Sequence, residues 1–135
     1  MLQGRSALEP SALLDVAAAV AGAVASDDDR FSRDVRFAVV ERGTEHLWCE
    51  ARRPDWMTAI VRLELRVSRS RGHTVFAMAV LHPDPASSQH GVHEVTPSVY
   101  FYRRFAATVV RALRQADPAM RFIAGGWLTP ELFHA

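Results

Sequence analysis

The chain contains no lysine. All sixteen of its basic residues are arginine, which removes Schiff-base and lysine-nucleophile chemistry and leaves planar, permanently charged donors suited to bidentate contacts. A GC-rich bacterial genome is the plainer reason for that choice. Cysteine is nearly absent as well: Cys49 alone cannot form an internal disulfide or a cysteine-cluster metal site. A lone thiol suits a reducing compartment, so a cytoplasmic location is the expectation. Net charge is almost missing, since 16 basic and 15 acidic residues leave +1, and no bulk field draws the chain to nucleic acid or membrane. No apolar run approaches the ~20 residues of a membrane span, so a membrane partner is not expected. Residues 13–25 are rich in Ala and Val and end in Ala23-Val24-Ala25 before Ser26, in the manner of a signal-peptidase site. Glu9 and Asp15 put charge where a signal peptide needs none. Repeats, low-complexity blocks and Pro/Ser-rich linkers are also lacking. The 135 residues therefore read as a single domain with a loose lead at 1–9 and a tail at 126–135, large enough for a core without staples.

What is present is a long hairpin at 57–84. Val61, Leu63, Leu65 and Val67 alternate with Arg62, Glu64, Arg66 and Ser68, the period of a strand with one buried face. After a turn rich in Ser, Arg and Gly, residues 75–81 are apolar throughout, as in a strand covered on both sides. Strands at 35–41 and 45–52, joined at Arg42-Gly43-Thr44, precede it. Pro10 suits the first position of a helix whose core face is Leu13, Val16, Val20 and Val24. Thr96 and Pro97 suit the start of a second helix that runs to Gln115 before Asp117-Pro118 stops it. The expected fold is α+β: a four-stranded antiparallel meander with an N-terminal and a C-terminal helix packed on one face, and 121–124 as a candidate fifth strand, in the order α-β-β-β-β-α-β.

Three groups of residues could carry function. On the sheet face away from the helices, Trp48, Arg62, Glu64 and Arg66, with the outward side of Phe76 and Met78, have the mixed aromatic and charged composition of a partner-binding surface. On the second helix, Tyr100, Arg103, Arg104, Arg111 and Arg114 share an arc without acids and could bind phosphate or nucleic acid. The plainer reading is a solvated helix face. In the loop after the hairpin, His82, His90 and His93 lie near Asp84 and Glu94, residue types that hold zinc or iron, although their spacing matches no metal motif. Cys49 reads as a buried small hydrophobe, and Asp27-Asp28-Asp29 as a solvated run without calcium-loop spacing.

The order of helix, meander, His82-Pro83-Asp84 and helix resembles the outline of ubiquitin-conjugating-like domains, which carry His-Pro-Asn shortly before a catalytic Cys. Here no Cys follows His82 and the proline-rich segment before the last strand is missing, so the resemblance implies no conjugating activity. The sequence favours a small non-catalytic binding, adaptor or assembly subunit without a cofactor. It would be a homodimer or other homo-oligomer that meets its protein partner, self or other, through the far sheet face. The phosphate- or nucleic-acid-binding regulator is the alternative, and a small metal-dependent enzyme the third reading.

Overall fold

A computed structural model describes residues 2–22, 36–52, 61–81 and 92–124, with backbone alone for 92–100 and 123–124. In chain order the elements are β1 (Leu2–Ser6), α1 (Pro10–Ala21), β2 (Arg36–Arg42), β3 (His46–Arg52), β4 (Val61–Ser70), β5 (His73–Leu81), α2 (Val92–Ala116) and β6 (Arg121–Ala124). The six strands form one sheet in the order β2-β3-β4-β5-β1-β6, and every pairing is antiparallel. The α+β class and the meander are as the sequence predicts, but the described residues form a sheet of six strands rather than four or five. The extra strand lies within the segment expected to be a loose lead, whose described residues 2–9 are ordered into the fold. Its residues 2–6 lie between β5 and β6, and Leu2 is fully buried.

β1 hides from a hydrophobicity pattern because its inward positions are Leu2, Gly4 and Ser6, only one of which is a large apolar residue. Gly4 is required by packing: a Cβ there would lie 2.3 Å from Cζ and 2.7 Å from Cε1 of Phe76. The ring of Phe76 therefore occupies the space a side chain would fill. Two polar contacts then hold the strand in place. The Tyr102 hydroxyl on α2 donates to the carbonyl of Met78 at 2.9 Å and accepts the amide of Leu2 at 3.3 Å, bridging β5 and β1 and satisfying buried groups on both. At the other end of the strand, one oxygen of Asp117 accepts the Ser6 hydroxyl at 2.7 Å and the Ala7 amide at 2.8 Å, and its second oxygen accepts the Ala119 amide at 3.1 Å. Burial works to raise the pKa of Asp117, but these three hydrogen bonds outweigh it and hold the carboxyl below its usual range.

The long hairpin turns at Arg71 and Gly72, both at positive φ (48° and 81°), the backbone of a two-residue turn matched to the sheet's twist. Both helices share one core with one face of the sheet. From α2, Phe101, Tyr102, Phe105, Ala106, Val109, Val110 and Leu113 are buried. Phe37 of β2 stacks on Phe105 at 6.2 Å and meets Phe101 edge-on at 5.9 Å. α1 is rotated from the expected face: Leu13, Leu14, Ala17 and Ala21 are buried, while Val16 and Val20 are half-buried at the margin. Small residues on the inward arc allow the close approach of a neighbouring element, which an apolarity pattern ranks too low. α2 begins a turn before Thr96-Pro97, because a start signal marks where a helix can begin and no Gly or Pro between Val92 and Thr96 forbids another turn.

Candidate functional site

Alternation along β3 and β4 sends Leu47, Cys49, Ala51, Leu63, Leu65 and Val67 into the core. His46, Trp48, Glu50, Arg52, Arg62, Glu64 and Arg66 are left on the far face. The register then decides which of them meet: Glu50 stands opposite Arg62, Trp48 opposite Glu64, and His46 opposite Arg66. Arg62 reaches one oxygen of Glu50 through Nε at 3.0 Å and Nη2 at 2.5 Å, and Arg52 donates to the other oxygen at 2.7 Å. The Trp48 indole N–H donates to Glu64 at 2.6 Å, and Nε of Arg66 reaches the second Glu64 oxygen at 2.7 Å. The Arg62 guanidinium lies 5.9 Å from the Trp48 ring centre, and the His46 ring lies 5.1 Å from the same indole. His46 also bonds Glu41 through Nε2 at 2.5 Å.

The two carboxylates are the most enclosed groups of this network, with Glu50 4% and Glu64 7% exposed. Burial works to raise the pKa of Glu50, but the hydrogen bonds and charges of Arg62 and Arg52 prevail and leave it below the ordinary carboxylate range. The acids are thus anchors, and the residues they fix, Trp48, Arg62 and Arg66, are the ones that reach the surface. Cross-strand pairs of this kind contribute only about 0.2–1 kcal/mol each, so their chief effect is to set orientation.

On β5 the expected partner-binding pair needs correction. Phe76 and Met78 are fully buried in the core, opposite Val67 and Leu65, because they share the parity of the core-facing residues of β4. The far face instead receives Val75, Ala77, Ala79 and Leu81, all half-buried. Ala77 and Ala79 are short, whereas the same face carries Arg62, Glu64 and Arg66 on β4 and Gln3 and Arg5 on β1. β5 is therefore the apolar floor of a shallow trough between taller polar walls. Beyond β1, Arg5 is paired directly with Arg121 of β6, and both are exposed.

The second candidate group is more dispersed. Arg111 is exposed, whereas Arg103, Arg104 and Arg114 are half-buried. The Arg114 guanidinium covers the Phe122 ring at 5.2 Å, so part of this arc packs β6 against α2. The Nε of Arg103 is buried without a hydrogen-bond partner among the described residues. The side chain of Tyr100 lies outside the described residues. So do His82 and His90 and the side chain of His93, whose backbone belongs to the first turn of α2. Among the described residues no group of three His, Cys, Asp or Glu side chains could hold a metal ion. Cys49 is fully buried, and burial pushes its thiol up to about 12, which makes it unreactive as a nucleophile near neutral pH. No helix among the described residues is long and apolar enough to cross a membrane.

Sequence reasoning finds the β3–β4 part of the far face, because two alternating strands there share a clear parity. It misses Arg5 and Arg121, since neither counts as a face residue until 2–6 is known to be a strand beside β6. No protein-family model, curated protein or solved structure shows a significant match to this chain.

Proposed function

We propose that the protein is a small non-catalytic binding or assembly subunit that meets a protein partner, self or other, through the far face of its sheet. The observation carrying this reading is the Glu50–Glu64 network. Two enclosed carboxyl groups hold Trp48, Arg62 and Arg66 in fixed orientations beside the apolar trough of β5. Pre-fixed Trp and Arg side chains lose little freedom when a partner arrives, which is why these types dominate the energetics of interfaces.

Light scattering on the natively purified protein tests the reading. The wild type is expected to carry a mass above 15.0 kDa, as an oligomer or with bound protein. The pair Trp48→Ala with Arg66→Glu is expected to return it to the mass of one chain at unchanged helix content. One chain and no partner for both forms would contradict the reading.

The second reading, an anion site on α2, is favoured by the buried Nε of Arg103. Such a site would bind single-stranded oligonucleotide with an affinity that falls steeply with salt, and Arg103→Gln would remove that binding.

A further inference from the structure

We infer that the trough along β5 receives an acidic, apolar-bearing segment of a partner protein, whose carboxylates are taken by the cross-strand pair Arg5 and Arg121. This rests on the far face being an interaction surface and adds the chemistry of what it accepts. Arg5 and Arg121 are direct partners on adjacent strands, both exposed. Neither forms an ion pair with an acid among the described residues.

Like charges placed directly opposite one another weaken a sheet, and elsewhere on this face such charge is compensated. Arg62 stands opposite Glu50, and Arg66 holds Glu64. Another like-charged pair on this face, Arg36 opposite Arg52, differs because Arg52 donates to Glu50. At Arg5 and Arg121 the charge is left over. Neighbouring strands stand about 4.8 Å apart, so two guanidinium groups there can converge on a single carboxylate with paired N–H donors.

The ground beside the pair selects the rest of the ligand. Val75 is the cross-strand partner of Arg5, and Ala77 that of Gln3, so an acidic group held by the arginines would bring its chain over an apolar floor. Single-stranded nucleic acid wants aromatic rings along the groove on which successive bases stack. The described residues of this floor, Val75, Ala77, Ala79 and Leu81, include none. The charge and the floor together fit a peptide with carboxylates on one side and apolar side chains on the other.

Fluorescence anisotropy tests this with three labelled probes: a peptide of alternating Glu and Leu, the corresponding Lys and Leu peptide, and an oligo-dT strand. The Glu-Leu peptide is expected to bind the wild type and the other two not. In Arg5→Gln with Arg121→Gln its affinity should fall by at least about tenfold, a typical loss for a charge-assisted contact. Arg121→Glu, which turns the repelling pair into an attracting one, should abolish peptide binding while raising Tm by about 1–4 °C. A merely structural role for the pair would not give opposite signs for binding and stability.

The inference is overturned if the wild type does not bind the Glu-Leu peptide, if the Arg5/Arg121 variant binds it as the wild type does, if oligo-dT binds more tightly, or if Arg121→Glu lowers Tm. Peptide binding that survives in the Arg5/Arg121 variant but is lost in Trp48→Ala with Arg66→Glu would overturn the assignment to Arg5 and Arg121 and leave the far-face reading standing.

Discussion

The two faces of the sheet are closed by different physics. The inner face is sealed by apolar packing: Leu2, Leu47, Leu63, Leu65, Phe76 and Met78 lie against α1 and α2 with essentially no exposure. Across β3 and β4 the outer face is organised by charge, with Glu50 and Glu64 enclosed beneath Arg62, Arg66 and Trp48. Apolar burial is proportional to area and indifferent to direction, whereas a carboxylate held by two donors fixes where those donors point. The inner face therefore supplies most of the stability, while the outer face adds orientation to a smaller stabilising share. Truncation in the core should cost the most.

The largest expected effect is on the inner face. Phe76→Ala empties the space over Gly4 and should cost about 3–5 kcal/mol by chemical denaturation, the range for large aromatic truncations in a core. Gly4→Ala attacks the same contact from the other side, forcing a Cβ into the ring, and should cost about 1–3 kcal/mol. If either change were neutral, β1 would not be held against β5 as described.

Next comes the outer-face anchor. Arg62→Met leaves Glu50 enclosed with Arg52 as its one remaining charged partner among the described residues and should cost about 2–3 kcal/mol, because an under-compensated buried charge is expensive. Arg66→Met leaves the enclosed Glu64 with the Trp48 indole N–H as its donor among the described residues and should cost about 1–3 kcal/mol for the same reason. It should also weaken partner binding. A cost below about 0.5 kcal/mol for either change would show that its carboxylate is not an enclosed anchor.

Acid should weaken both closures modestly. Glu50 and Asp117 have folded pKa values below the ordinary range, near 4 for a free carboxyl. As pH falls the unfolded chain therefore takes up protons first. The stability these groups contribute is fully present above about pH 5 and is lost as pH falls through their folded values. Tm measured against pH should slope downward in acid, and Asp117→Asn should flatten that slope while costing about 1–2 kcal/mol at neutral pH through weaker hydrogen bonds.

How far the sequence reveals this arrangement depends on where the information lies. Val61, Leu63, Leu65 and Val67 alternate with charged neighbours, so the face assignments of β4, and with them the Trp48, Arg62, Glu64 and Arg66 set, follow from parity alone. In β5 every residue of 75–81 is apolar, so parity is silent. Only the register opposite β4 shows that Phe76 and Met78 point inward. β1 is invisible for another reason: Gly4 and Ser6 are inward because of Phe76 and Asp117, which are 72 and 111 positions away. That long-range pairing is also why Arg5 and Arg121 could not be recognised as neighbours.

In the single, unpartnered chain the outer face is an accessible, cationic surface with Trp48 fixed in it, and collisional quenching of Trp48 reports on both properties at once. In the partner-free single chain of a variant carrying Trp56→Phe and Trp127→Phe, iodide should quench Trp48 several times more strongly than caesium at matched ionic strength, each normalised to its quenching of free N-acetyltryptophanamide. The difference should shrink as salt screens the arginines. Equal quenching by the two ions, stronger quenching by caesium, or no quenching at all would contradict the account.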